Sequence, residues 1–501
     1  MIKKAKSLAL IYCLFTFLAA GMAGLSYAEV NLPTIGQPSS TALSPADEQA
    51  LGAEIVSQLR SFHYFLEDKE VTDYLKRVGR RLASHSGHQP SDFHFYVVRD
   101  RQVNAFALPG GHIGVNAGLI LASESESEMA GVVAHEIAHV TQRHIARQVE
   151  ASSRFNLTTV AALLVAVLAG ASSDPDVAQA ALSVGLASTA QQQINFTRSH
   201  EMEADRVGIR TLAEAGYNPK GMASFFQKMG ERARLYGSGL PEILRTHPMS
   251  NTRVSEAMTR IAKYEHIPEA TAEQELEYRL MRARLRVLTD PQSAEVVNFF
   301  KAQNADQQEK MDDQVRHYGL GLALYRSGRY KEATDLFTSL AEQKPDIVSY
   351  SMALADVLLA QGKRGSSLGV YKNLRQRFPD YQPLTLAYAD ALIQSDQPAQ
   401  SRALLLGSDL LSRKEPEAHR LLSSAARALD RPAEAHYQMA EYHRLLREYR
   451  QALNQLDAGL RLDDLSKSDE ARLKTAMSQL RDEVPKDFLK KYDRGDTRYG
   501  S

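Results

Sequence analysis

The sequence predicts a mainly α protein, in which a helical domain holding one small β-sheet is followed by an α-solenoid. Three observations predict it. Apolar residues recur at helical spacing through much of the chain, as at Val71, Tyr74, Leu75, Val78 and Leu82. One stretch breaks that rhythm: 93–98 is rich in β-formers, and 105–108 and 112–115 flank the turn Pro109-Gly110-Gly111. From about residue 311, turn residues fall at Gly328, Gly362, Asp396 and Asp430, each 34 residues after the last, which is the tetratricopeptide period.

The chain's 501 residues are enough for two or three domains. Its first 28 residues have the layout of a signal peptide. Lys3, Lys4 and Lys6 precede an apolar run from Leu8 to Leu25, and Ser26-Tyr27-Ala28 places small residues at −3 and −1, so cleavage is expected after Ala28. An uncleaved anchor is the other reading, but small residues weaken the run towards its end. Of the 60 basic residues three lie in this leader, so 57 would face 60 acidic ones, a net charge of about −3 that implies no polyanion partner and no nucleic acid. The single cysteine, Cys13, also lies there, which excludes disulfides and a cysteine-ligated metal from the mature chain. Residues 29–44, with Pro33, Gly36 and Pro38, read as a linker. Order is expected to begin at Ser44-Pro45, a cap followed by proline at the first helical position.

Two amphipathic segments, 46–66 and 69–84, lead to the small sheet and then to the stretch with the most chemistry in it. His135-Glu136-Ile137-Ala138-His139 sets two histidines four residues apart on one helical face, close enough to share a metal ion, with Glu136 beside them where a general base for water is needed. A helix carrying two histidines by chance is the bland alternative, and a third ligand decides between the two. His144 is rejected: on a continuing helix it lies about 140° round from His139 and points away from the metal face. Ser199-His200-Glu201-Met202-Glu203-Ala204-Asp205 is a better candidate. There Glu201 can reach a metal, while Asp205, one turn on, can hold a ligand or a reacting group.

H-E-x-x-H followed some sixty residues later by E-x-x-A-D resembles the gluzincin family that includes the HtpX proteases and the Ste-type prenyl-protein proteases. Further matches fall on Asn104-Ala105-Phe106-Ala107-Leu108-Pro109-Gly110-Gly111 and on His247-Pro248 with Arg253, so the resemblance covers about 45–265. It implies a helical zincin-type metallopeptidase domain with one Zn2+ per chain, held by His135, His139 and Glu201, with Glu136 as the base. It offers Asp205 as a proton donor, although geometry alone equally allows an orienting role. It also implies that an edge strand at Asn104, Ala105 and Phe106 pairs with an extended peptide, where an ordinary structural hairpin is the alternative. His247 is implied as a regulatory fourth zinc ligand that holds the enzyme idle.

With the leader and the repeats, the chain is similar to periplasmic members of that family. They imply a zinc metalloendopeptidase with chaperone-like activity that promotes assembly of outer-membrane β-barrel proteins or degrades misassembled ones. The implied partners are unfolded or misassembled outer-membrane proteins, the outer-membrane barrel assembly machinery through the repeats, and peripheral membrane contact. A protein that is mainly a periplasmic chaperone or scaffold, with a normally closed zinc site, is the alternative. An intramembrane prenyl-protein protease is disfavoured by the lack of long apolar spans.

Glu124, Glu126 and Glu128 crowd the start of the metal helix and are assigned to capping. His112 is assigned to the surface. Two apolar stretches, 157–171 and 177–187, interrupted at Asp174-Pro175-Asp176, are read as buried core, as a lid or as a membrane-dipping hairpin, in that order of preference. Gln191, Gln192 and Gln193 lead into the Glu201 helix, which Gly216 and Asn218-Pro219 stop. Residues 266–310 connect to a repeat domain at 311–485, where small residues recur in phase: Gly321, Ala355, Ala389 and Ser423 on first helices, Ala333, Ser367, Ser401 and Ala435 on second ones. Tyr318, Tyr325, Tyr350 and Tyr388 are assigned to its core. Helices near 449–461 and 466–483 are expected to cap the array, and 486–501 to form a polar tail.

Overall fold

Ser44 caps the first helix: its hydroxyl accepts from the Asp47 amide, Asp47 reaches back to the Ser44 amide, and Pro45 takes the first helical position of α1 (Pro45–Ser61). The structure, a computed structural model, describes residues 43–152, 198–236, 242–248, 250–264, 269–302 and 312–484, together with Leu489 and Tyr492, and these all belong to one unit, 43–501. The expected signal peptide (1–28), nearly all of the linker, the apolar stretches at 157–187, the Gln191–193 run and the polar tail except Leu489 and Tyr492 lie outside the described residues.

Asp68 caps α2 (Lys69–Ala83), whose Val71, Tyr74, Leu75, Val78 and Leu82 are buried as their spacing requires. Three short strands follow, β1 (His94–Val98), β2 (Ala105–Leu108) and β3 (His112–Asn116), ordered β1-β3-β2. β3 is central, parallel to β1 and antiparallel to β2, so β2 forms an edge. The β2–β3 turn needs glycine: Gly110 and Gly111 have φ of 72° and 82°, and a Cβ on Gly111 would lie 1.9 Å from the Asp92 carbonyl oxygen. His112, expected on the surface, is instead buried at 4% exposure. It starts the central strand, lies beside Gly52 of α1, and shares a 2.9 Å hydrogen bond with the Tyr96 hydroxyl. A central strand covered by a helix leaves that side chain no route to water.

The chain continues through α3 (Ala117–Ala122) into α4 (Glu126–Thr141), a helix buried along almost its whole length. Its cap is Ser125, and of the three glutamates expected there only Glu128 takes a backbone amide. Ser125 accepts from the Glu128 amide, the Glu128 carboxylate accepts from the Glu124 amide and pairs with Lys228, and Tyr74 donates to Glu126 at 2.6 Å. After Thr141 the helix stops, Arg143 turns at φ 52°, and α5 (His144–Ser152) begins in a new direction. Then come α6 (Arg198–Glu214), α7 (Lys220–Tyr236), the short α8 (Glu242–Thr246) and α9 (Asn251–Ile261). α6 lies against α4 through small residues. A Cβ on Gly208 would come within 3.2 Å of the Ala134 backbone, and Ala138, Ala204 and Val207 form their own apolar contact.

Connecting helices α10 (Ala272–Thr289) and α11 (Ser293–Lys301) lead to paired helices: α12 (Asp313–Arg326) with α13 (Tyr330–Gln343), α14 (Val348–Ala360) with α15 (Arg364–Arg377), α16 (Gln382–Gln394) with α17 (Pro398–Leu406), and α18 (Pro416–Ala428) with α19 (Pro432–Leu445). All four periodic turn residues adopt positive φ: 74° at Gly328, 75° at Gly362, 58° at Asp396 and 54° at Asp430. The in-phase small residues do more than make room. Ser367 donates to the Ala355 carbonyl, Ser401 to Ala389 and Ser423 to Ala435, each at 2.8 Å across a hairpin. Tyr318 and Tyr350 are fully buried, while Tyr325 and Tyr388 are half-buried. α20 (Tyr449–Leu460) and α21 (Lys467–Glu483) follow the last pair and share a separate apolar cluster with Ala433 and Ala440.

One core runs without interruption from the sheet and α4 through Phe300 and Tyr318 to Val357. Buried charge ties the same parts: Arg284 of α10 makes two 2.8 Å bonds to Asp68, sits 2.9 Å from Glu70 and donates to the Tyr318 hydroxyl. Lys69 pairs with Asp390, Lys76 with Glu415 and Arg60 with Glu448, so α1 and α2 are held along the repeats.

Candidate metal centre

Four residues from three elements converge on one buried spot. α4 contributes His135 and His139, one turn apart; α6 contributes Glu201; and the turn after α8 contributes His247, all 2% exposed or less. One ligand atom from each of these four lies within 4.8 Å of every other. His135 Nε2 is 3.0 Å from His139 Nε2, 3.4 Å from His247 Nδ1 and 3.5 Å from a Glu201 oxygen; His139 Nε2 is 3.5 Å and His247 Nδ1 3.0 Å from the other oxygen. Bonds of about 2.0 to 2.1 Å to a tetrahedral zinc place neighbouring ligand atoms about 3.3 Å apart. Nitrogen and carboxylate donors suit that ion.

Charge fits as well. Among the described residues three carboxylates, Glu136, Glu201 and Asp205, are buried here and Arg253 pairs with the last two, so with neutral imidazoles two negative charges are left for a divalent cation to cancel. Without a metal, protons must do this. Burial works against a charged His135, but hydrogen bonds to Asp205 and Glu201 push its pKa up to about 9. Burial and the neighbouring charge of His135 drive His139 well below the usual imidazole range. Burial opposes ionisation of Glu201, yet the adjacent imidazoles hold its carboxyl well below the ordinary carboxylate range.

Glu136 stands beside the cluster without joining it. Its carboxylate is fully buried, neither oxygen has a hydrogen-bond partner of normal geometry, and His247 Nε2 lies 3.4 Å away. Burial raises its pKa, while His247, His135 and the Ala107 amide of β2 pull it down. That amide belongs to the edge strand, so the carboxylate lies between the metal cluster and β2. Asn104, immediately before β2, is buried with its side-chain oxygen unpaired. Ala105 is buried, and the half-buried Phe106 ring lies over Gly114 of the central strand. α8 is attached to this edge, because the Ile243 amide donates to the Val103 carbonyl.

Asp205 is not among the four cluster residues. Its Oδ1 lies 3.1 Å from His135 Nδ1, on the side of the ring away from the cluster. Arg253 grips it with two bonds of 2.7 and 2.8 Å. The same guanidinium reaches Glu201 at 2.8 Å and the Pro248 carbonyl at 2.8 Å, joining α6, α9 and the His247 turn. Burial acts against the Asp205 anion, but the bonds from Arg253 and His135 keep its carboxyl below the ordinary range. Sequence reasoning noted Arg253 without a role; its signal was only its place after His-Pro.

His144 is no member of the cluster, but it does not point away. Its Nδ1 lies 2.9 Å from His139 Nδ1 and its Nε2 lies 3.2 Å from Glu203, which also accepts from Arg147 at 2.9 Å. The helical projection from His139 fails because α4 ends at Thr141 and the Arg143 turn folds α5 back. No helix among the described residues is long and apolar enough to cross a membrane.

Residues 69–261 match peptidase family M48, and residues 358–425 match a tetratricopeptide repeat family. The chain is 32% identical to a beta-barrel assembly-enhancing protease of Yersinia pestis over 80% of its own length and 82% of the relative's. It is 34% identical to a putative beta-barrel assembly-enhancing protease of Vibrio cholerae over 66% of this chain and 67% of that one. With the beta-barrel assembly-enhancing protease of Escherichia coli K12 it shares 33% identity over 68% of this chain and 69% of the other.

Proposed function

The chain belongs to peptidase family M48, joined to C-terminal tetratricopeptide repeats, and from that premise we propose that this metallopeptidase is a periplasmic zinc endopeptidase acting on outer-membrane β-barrel proteins. The observation that carries the reading is the convergence of His135, His139, Glu201 and His247 at mutual distances a zinc ion spans. In this reading His135, His139 and Glu201 hold the metal. A zinc ion there supplies a Lewis acid that polarises a peptide carbonyl and lowers the pKa of water towards about 7.

The rest is done by the chain's own groups. Glu136, fully buried, raised in pKa and bare of normal hydrogen bonds, accepts the proton of the attacking water and passes it to the leaving amine. Asp205 is clamped by Arg253 and faces the outer nitrogen of His135, which supports the orienting role over that of a proton donor. β2, which Ala105 and Phe106 begin and Asn104 precedes, offers an edge on which an extended peptide adds as a strand. His247 takes the fourth position and so holds the site idle until the α8 turn is displaced.

Localisation and clients follow from different support. The leader pattern at 1–28 supports the periplasm, and relatives named for enhancing β-barrel assembly support unfolded or misassembled barrel proteins as clients, with the repeats docking to the assembly machinery. A closed fourth position also favours a second reading, a scaffold that seldom cleaves. Glu136→Gln separates them. The variant is expected to bind one zinc per chain, to lose casein-type proteolysis by at least about 100-fold, and to fail to complement a deletion strain; full complementation would favour the scaffold. His247→Ala is expected to raise proteolysis above the wild-type level, and unchanged or lower activity would refute the blocking role.

A further inference from the structure

The reading of the metal centre assigns an orienting carboxylate to His135 but nothing to His139. We propose that His144, Glu203 and Arg147 form a positioning relay that fixes the tautomer and ring orientation of His139. The inference rests on the metal-site reading.

The relay depends on a break in the metal helix. On a continuous helix His144 would lie about 140° from His139, yet its Nδ1 is 2.9 Å from His139 Nδ1. The left-handed turn at Arg143 makes this possible. Such a conformation costs a non-glycine residue on the order of 1 kcal/mol, and Arg143 is held in it by bonds of 3.0 and 2.8 Å to Glu48 and 2.7 Å to the Leu43 carbonyl. Leu43 and Glu48 stand at the start of α1, so a distant part of the domain maintains the fold-back.

Hydrogen-bond direction between the two rings then follows from their contact. With His139 Nε2 turned to the cluster, its proton sits on Nδ1, and an unprotonated His144 Nδ1 at 2.9 Å accepts it. The remaining proton of His144 is therefore on Nε2, 3.2 Å from the Glu203 carboxylate, and Arg147 Nη1 donates to the same oxygen at 2.9 Å. His200 stacks on the His144 ring at a centroid distance of 4.5 Å and 15° tilt, fixing its plane. The other histidine shows the same design with one link fewer: His135 Nδ1 faces Asp205, and Arg253 clamps Asp205. The two imidazoles of α4 thus both end in a carboxylate that an arginine holds, His135 directly and His139 through His144.

The test uses the full chain loaded with zinc. Zinc affinity is measured by competition with a chromogenic chelator, and imidazole tautomers by 15N NMR after selective histidine labelling. His144→Ala is expected to weaken zinc binding about 10- to 100-fold, the usual effect of losing an outer partner. In His144→Asn the amide oxygen replaces Nδ1 as acceptor, and most of that loss should be restored. A merely structural role would lower thermal stability in both variants without this split. Wild-type affinity in the alanine variant, equal weakening in both variants, or a His144 proton on Nδ1 in the zinc-loaded wild type would each overturn the relay. If the alanine variant does not fold, the asparagine variant and the wild-type tautomers decide. Failure of the wild type itself to take up zinc would refute the metal-site reading instead, so the two failures are distinct.

Discussion

Arg253 shows what a single residue can do when it is wholly enclosed. Its guanidinium binds Asp205 in a fork, reaches Glu201 and holds the Pro248 carbonyl, with the Phe226 ring 5.6 Å from its centre. Lysine keeps the charge but cannot supply three directed arms. Arg253→Lys is therefore expected to fold with a melting temperature several degrees lower, because buried carboxylate bonds are lost at about 1 to 3 kcal/mol each. It should also bind zinc more weakly, and differential scanning calorimetry with and without zinc would show both. Equal melting and equal zinc shifts in the two proteins would reject the clamp. At this scale the candidate ligands were legible, and so was Asp205 as a group that could orient one, but Arg253 and His144 were not. An i,i+4 histidine pair and a downstream E-x-x-A-D are local patterns, so His135, His139 and Glu201 could be read off the chain. Arg253 and His144 act through a chain turn and a residue some fifty positions away, and no periodicity reports either.

Two helices, α4 and α6, must approach closely enough for ligands on both to share one ion. Side chains of ordinary size would hold their axes about 8 to 10 Å apart; here Gly208 and Ala204 face Ala134 and Ala138, and a Cβ on Gly208 already meets the Ala134 backbone at 3.2 Å. Gly208→Val should push the helices apart, destabilise the fold by about 1 to 3 kcal/mol, and weaken zinc binding. Chelator competition and thermal melting on the same sample check this, and a valine variant with native zinc affinity would show that the close approach is not what assembles the site. The small residues stand beside each candidate ligand, one position before each histidine and three after Glu201, but nothing in the local pattern says that they face another helix. In the repeats the same kind of signal was legible because it recurs: four repetitions identified the small positions, and the serine hydrogen bonds explain why three of them are serine. His112 was misplaced for a related reason, since strand order decides whether a histidine at a turn faces water, and strand order is not written in the local pattern.

At the scale of the whole molecule, the peptidase helices and the repeats are joined through a buried charge cluster whose members are far apart in sequence, Asp68 and Arg284 being separated by 216 positions. Neither motif nor period could have foretold it. Glu70 lies in this cluster beside Arg284, with one carboxylate oxygen unpaired and only 2% of the residue exposed. Burial pushes its pKa up to about 7; Arg284 opposes the shift, while Asp68 and Asp356 add to it. Between the unfolded value of 4.5 and about 7 the folded chain therefore holds a proton at Glu70 that the unfolded chain has lost. Its contribution to stability is fully present below pH 4.5 and declines as pH rises through 7, by on the order of 1 to 3 kcal/mol. Asp68 has the opposite sign. Burial disfavours its anion, but Arg284 holds its pKa below the ordinary value, so its contribution is present near neutrality and lost in acid. Comparison of the wild type with Glu70→Gln isolates the first effect, because glutamine keeps the shape and cannot ionise. The variant should be of similar or lower stability at pH 5, gain on the wild type up to about pH 7 and level off above it. Thermal melts at constant ionic strength across that range would reveal it. Parallel curves would mean that Glu70 stays ionised in the folded chain, and that the junction between peptidase and repeats is a fixed ion pair whose strength does not answer to pH in this range.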